Sequence, residues 1–265
     1  DGLLAPGATT EEMVGVAVAQ ALRMIDDGAD IIDVGGESTR PGGPPVDAET
    51  EAERVIPVIA ALRRQTDAPI SVDTYKASVA SRALDAGADM VNDVWGLAMD
   101  PDLARIVAER GVPVVLMHNR SRPRDAAQEE RLGGRYVGVK YADLLGDVLR
   151  ELEGLVDAAM HAGIARERII VDPGIGFGKT VAQNLTLLNH VDALRALGLP
   201  ILVGPSRKSF IGYTLDVPPD ERNEGTAAAV ALSLVRGADM VRVHDVRAMA
   251  RVARMTDAIL RAGET

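Results

Sequence analysis

Asp33, Asn92, Asp93, Arg242 and His244 each stand at or near the end of a short apolar run that a Gly-Ala-Asp triplet introduces, at Gly28, Gly87 and Gly237. Their types suggest a chemistry. An asparagine offers an amide donor and a carbonyl acceptor, which suits a heterocycle with mixed edges. Arg242 and His244 lie two apart on an extended stretch and so share a face. Together they make a clamp for phosphate or pyrophosphate, the guanidinium giving the bidentate fork. Asp93 follows Asn92, points the other way and reads as structural.

Other strand ends add candidates. In Ile-Ser-Val-Asp-Thr (70–74), Ser71 and Asp73 share one parity and Val72 the other; Asp73 reads either as a site carboxylate or as the cap of the helix that follows. Asp172 closes an apolar run and opens Asp-Pro-Gly-Ile-Gly-Phe-Gly-Lys-Thr, where Phe177 is a candidate ligand wall. A phosphate loop would need glycine five residues before Gly178-Lys179, and that position is Pro173. Lys179 reads equally as a solvated helix-start residue or as a contact. Arg207 and Lys208 follow another apolar run, so Lys208 could stabilise negative charge and Ser209 could meet an anion; a solvated loop is the alternative. His118 has no His or Cys at ligand spacing, which argues against structural zinc. His161 and His190 fall in helical stretches.

These residues need elements to hold them. Helical patterns over 10–27, 47–66, 76–87, 100–110, 143–162, 181–197, 223–236 and 246–262 alternate with strands at 30–34, 70–73, 90–93, 112–118, 168–172, 200–204 and 239–243. That alternation predicts βα units and parallel strands. Candidates recur at strand ends along the whole chain, which favours an α/β fold of the TIM (β/α)8 barrel type over an open doubly wound sheet with one switch point. A single domain over 1–265 is expected, with the first strand absent from this sequence.

Composition narrows the function. A formal net charge of -10 argues against a nucleic-acid backbone as partner. The chain has no cysteine, hence neither disulfide nor thiolate nucleophile. Apolar runs of about 4 to 8 residues are too short to span a bilayer, and no basic-then-apolar leader opens the chain. A cytoplasmic protein without a membrane partner is expected.

The segments IIDVGGESTRPG, PISVDTYK, GADMVNDV, VVLMHNR, DPGIGFGKT, GPSRKSFIG and RVHDV, from about Ala29 to Val246, closely resemble the dihydropteroate synthases, a pterin-binding barrel family. The resemblance implies condensation of 6-hydroxymethyl-7,8-dihydropterin diphosphate with 4-aminobenzoate, giving 7,8-dihydropteroate and pyrophosphate. It implies that Asp73, Asn92, Met117, Asp172 and Lys208 hold the pterin. It assigns the diphosphate to Thr39, Arg40, Arg242 and His244, and the aminobenzoate to Pro41, Phe177, Lys208 and Ser209. Asp73, Asp172, Lys208, Arg242 and His244 would then carry the catalysis, with Mg²⁺ as cofactor and a homodimer through the carboxyl-terminal helices.

The family opens with a strand ending in Asn-Val-Thr-Pro-Asp-Ser-Phe-Ser, whose asparagine helps bind Mg²⁺. This sequence starts at Asp1-Gly2, after that stretch, so the resemblance assigns no metal ligand. Two alternatives remain. A corrinoid-linked methyltetrahydrofolate methyltransferase would have little use for Arg242 with His244 as a diphosphate clamp. A non-catalytic pterin-binding barrel would not turn substrate over.

Overall fold

The computed structural model describes residues 9–38, 43, 45–122, 125–137 and 139–263. The chain divides into two compact units. The first comprises Asp1–Thr39, Gly43–Val115 and Ala159–Arg168; the second comprises Arg40–Gly42, Leu116–Ala158 and Ile169–Thr265.

In the first unit helices and strands alternate: α1 (Thr10–Asp26), β1 (Ile32–Gly35), α2 (Ala48–Arg63), β2 (Ile70–Asp73), α3 (Ala77–Asp85), β3 (Met90–Asp93) and α4 (Pro101–Arg110). The strands are parallel, with Gly35 opposite Asp73 and Asp73 opposite Asn92. Val55, Ile59 and Leu62 of α2, Val79 and Ala83 of α3, and Leu103 and Val107 of α4 are buried, as are Ile70, Val72 and Val91 of the strands. Aliphatic helix faces thus cover the sheet, and removing that apolar surface from water drives the packing. Local chemistry sets the helix starts. Thr9 and Glu12 form a capping box on α1, and Asp47 accepts from Thr50 N at 2.9 Å at the start of α2.

The Gly-Ala-Asp repeat has a structural use. Gly87 turns the chain out of α3 at φ 112°, and a Cβ there would stand 2.8 Å from Arg63 Cγ. Asp89 then accepts from the first amide of β2, Ile70 N, at 2.8 Å.

The second unit takes in the end of β4 (Val114–Met117), the antiparallel pair β5 (Ala126–Ala127) and β6 (Arg135–Tyr136), and most of α5 (Leu144–His161). It continues through β7 (Ile169–Asp172), α6 (Val181–Asn189), β8 (Leu202–Val203), α7 (Ser209–Leu215), α8 (Asn223–Val235), β9 (Met240–Val241) and α9 (Val246–Leu260). β8 and β9 are parallel, with Leu202 opposite Met240, and Val171 bridges Ile201 in the same sense. Asp239 accepts from Ile201 N at 2.8 Å, repeating the arrangement at Asp89.

Four features differ from expectation. The helix expected over 181–197 breaks at His190, whose φ of -128° is not helical, and continues as a 3-10 turn over Val191–Leu197. α7 replaces an expected loop. β5 and β6 occupy a connection that carries no strand pattern. β8 and β9 are shorter than the runs at 200–204 and 239–243. Among the described residues no helix is long and apolar enough to cross a membrane.

Candidate active site

In the first unit the parallel register brings Asp73 beside Asn92, and Gly35 on the other side leaves room: a Cβ there would lie 3.2 Å from that of Asp73. Asn92 is buried and its Nδ2 donates to Asp33 Oδ2 at 3.1 Å. The capping alternative for Asp73 does not hold. The cap position of α3 is Lys76, which makes no side-chain cap bond, and Ala77 N donates instead to Asp100 at 2.8 Å. Asp93 points away and is fully buried, accepting from Trp95 N at 2.8 Å and Leu97 N at 2.6 Å. Burial pushes its carboxyl up to about 6, against those two amides.

In the second unit Asp172 ends β7 in full burial, and its Oδ1 accepts from Gly174 N at 2.7 Å. Burial raises its pKa, while Lys208, the Gly174 amide, Lys179 and Arg242 pull it back down. Gly174 has φ 70°, and a Cβ there would stand 1.9 Å from the carbonyl oxygen of His118. Only glycine fits that approach. The turn therefore presses against the end of β4 instead of opening into a phosphate cradle.

Lys179 is the clearest departure from a solvated reading. It is 1% exposed, and its Nζ lies 3.0 Å from Gly174 O, from Phe177 O and from His118 Nδ1. Burial depresses its pKa to about 7. His118, also 1% exposed, places Nε2 3.0 Å from Glu151 Oε2; burial, then Lys179, drives its pKa to about 3. Neither residue is singled out by spacing. The available signal is a lysine that directly follows the uncharged stretch 173–178.

Arg207 and Lys208 have separate uses. Arg207 sits at φ 54°, a conformation that costs a non-glycine residue about 1 to 2 kcal/mol. Its guanidinium forks onto Asp245 at 2.8 and 2.6 Å, its amide donates to Thr226 Oγ1 at 3.1 Å, and its carbonyl accepts from Arg222 at 2.9 Å. That turn sends Lys208 to the Ile175 carbonyl, with Nζ 4.6 Å from the centre of the half-buried Phe177 ring. Ser209 begins α7 and is half-buried; Met117 is buried at the end of β4. Arg242 and His244 are both exposed. The Arg242 amide donates to Val203 O at 3.0 Å, and His244 Nδ1 lies 3.0 Å from Ser206 Oγ.

Thr39, Arg40 and Pro41 lie outside the described residues. Among the described residues no group of three or more His, Asp or Glu side chains converges to hold a metal ion.

Residues 7–244 match the family model described as "Pterin binding enzyme", a class whose α/β fold of parallel strands is consistent with a (β/α)8 barrel. The chain is 50% identical over 247 residues to the dihydropteroate synthase of Bacillus subtilis, covering 93% of this chain and 81% of that one. The crystal structure of the Clostridium difficile dihydropteroate synthase, obtained in the presence of pteroic acid, superposes with a TM-score of 0.87 at 44% identity. That match covers 96% of this chain and 90% of the other. The Xanthomonas albilineans enzyme with 4-aminobenzoic acid gives 0.84 at 44% identity, over 93% and 85% of the two chains. The chain belongs to the dihydropteroate synthases, and it is a transferase.

Proposed function

We infer that this chain joins 6-hydroxymethyl-7,8-dihydropterin diphosphate to 4-aminobenzoate, forming 7,8-dihydropteroate and pyrophosphate. The observation that most directly supports this reading is Asp172, a buried acceptor at a strand end in the field of Lys208, Lys179 and Arg242. A carboxylate of this kind suits ring N–H donors, and the surrounding cations suit a departing diphosphate.

The pterin is assigned to Asp73, Asn92, Met117, Asp172 and Lys208, and the diphosphate to Arg242 and His244 together with Thr39 and Arg40. Phe177, Lys208, Ser209 and Pro41 take the aminobenzoate, since an apolar ring beside an ammonium matches a flat aromatic carboxylate. In the reaction the C–O bond between the pterin methylene and the diphosphate breaks, and its electron pair leaves with pyrophosphate. Arg242 and His244 offset that charge. The carboxylates of Asp73 and Asp172 favour the positive character left on the methylene and ring, and the neutral amine forms the C–N bond and releases its proton. No side-chain nucleophile is needed.

Mg²⁺, which the family implies, would when bound add further positive charge to offset the departing diphosphate. Restoration of turnover by Mg²⁺ after chelation is its test. The proposal also includes one domain over 1–265, a cytoplasmic location and a homodimer. The dimer is supported by exposed Leu232, Val235, Met255, Ile259 and Leu260 on α8 and α9. Pyrophosphate release that depends on 4-aminobenzoate is expected; release unaffected by the amine, or none, overturns the reading.

A further inference from the structure

Lys179 carries an ammonium into full burial, which is costly unless its donors are satisfied. It has three N–H groups, and three acceptors stand 3.0 Å away: Gly174 O, Phe177 O and His118 Nδ1. For His118 Nδ1 to accept, the ring must be neutral with its proton on Nε2, and Nε2 faces Glu151 Oε2 at 3.0 Å. Glu151 also accepts from Arg120 Nε at 3.0 Å, and Arg120 reaches Asp147 at 3.2 Å. One chain of charge-assisted bonds therefore runs from α5 through the end of β4 into the turn after β7.

Two carbonyls of that turn end on the ammonium. Between them lies Ile175, whose carbonyl receives Lys208, and Phe177 carries the ring beside which the Lys208 head stands. Gly174, Gly176 and Gly178 all have positive φ, so the turn has little intrinsic preference for one shape. An external fastening must select it.

We propose that Lys179, backed by His118 and Glu151, is the positioning residue for the amine side of the reaction: its buried head sets the turn over 173–178, and with it the Phe177 ring and the resting place of Lys208. The proposal rests on the assignment of Phe177 and Lys208 to 4-aminobenzoate. Lys179 itself touches no substrate in this account. It acts through the turn.

The test is steady-state kinetics of Lys179→Met with both substrates varied, after the unsubstituted protein has shown amine-dependent pyrophosphate release; absence of that release counts against the functional reading alone. Loss of a charge-assisted anchor is expected to raise the KM for 4-aminobenzoate, which meets both Phe177 and Lys208, about tenfold or more, and that for the pterin diphosphate, which meets Lys208 but not Phe177, by a clearly smaller factor. Amide exchange over 173–178 should accelerate in the same variant without substrate. His118→Leu, which removes the acceptor and leaves both carbonyl bonds, should give the same split at about threefold. It also keeps the proposal testable should Lys179→Met fail to fold. An unchanged KM for the amine, or equal losses for both substrates, overturns the proposal.

Discussion

Asp73 and Asn92 in the first unit stand together because β2 and β3 pair in register, and the small residue at Gly35 lets the carboxylate sit there. Lys208 and His244 in the second unit owe their places to other side chains and loops: a left-handed turn at Arg207 pinned by Asp245, Thr226 and Arg222, and a hydroxyl at Ser206. The first arrangement follows from backbone hydrogen bonds and presents acceptors and an amide. The second is assembled from one ion pair and several side-chain hydrogen bonds, and presents an ammonium and an imidazole. A polar heterocycle needs directional partners that do not move, and a sheet supplies them cheaply. Charge that must be offset as it departs needs long cationic side chains, and those have to be aimed by neighbours.

That contrast can be broken most sharply at Asp73. Asp73→Asn removes a carboxylate matched to ring donors and should weaken free hydroxymethylpterin and its diphosphate alike, by about 2 to 5 kcal/mol if the contact is desolvated. Calorimetric titration of both ligands measures it, and unchanged affinity would remove Asp73 from the pterin.

Asp93 tests the rigidity of the first unit. In the folded chain its carboxyl holds its proton up to about pH 6, against 3.8 ordinarily. The folded state thus binds more protons between those values. The stability it confers is full below pH 3.8 and lost as pH rises through 6, by about 3 kcal/mol at most. Denaturant midpoints from pH 4 to 7 should therefore fall more steeply for the natural protein than for Asp93→Asn; parallel curves would contradict the buried, protonated carboxyl.

In the second unit the two cations should separate. Arg242→Ala is expected to weaken the diphosphorylated pterin by about 1.5 to 3 kcal/mol, the worth of a hydrogen bond to a charged group, and hardly affect free hydroxymethylpterin. Lys208→Ala should weaken both. Equal losses for both ligands in Arg242→Ala would show that the diphosphate assignment is wrong. Smallest of all, Asp89→Ala and Asp239→Ala each remove one strand-start bond, Asp89→Ala also removing an ion pair with Arg63, and each should lower stability by about 1 kcal/mol, these side chains being exposed. Thermal unfolding of the two variants compares the same device in the two units.

The backbone-determined part was the more legible. The strands expected at 70–73 and 90–93 coincide with β2 and β3, because short runs with apolar starts between turn signals mark strands with little help from context. α7 leaves no such signal, because Pro205, Ser206 and Arg207 read as loop and a seven-residue helix is too short to show a period. β5 and β6, of two residues each, have no alternation to detect. Within the candidate site, the strand-end residues were recognisable by type and position. His118 is among them, whereas the burial of Lys179 is not legible, since the acceptors that permit a buried ammonium are mostly main-chain carbonyls, which leave no mark in a sequence.

The Gly-Ala-Asp aspartates bear on how this chain can be cut into pieces. Asp89 fastens the beginning of β2, the strand before its own, and Asp239 does the same for Ile201. In these two places the triplet that introduces one strand carries the clasp of the strand before it. A fragment that stops at the end of α3 would contain all of β2 and yet leave its first amide unclasped, whereas one continued through Asp89 would carry the closure with it. Sensible boundaries for truncation, tag insertion or domain grafting in this protein therefore fall after a Gly-Ala-Asp triplet, not at the helix end just ahead of it.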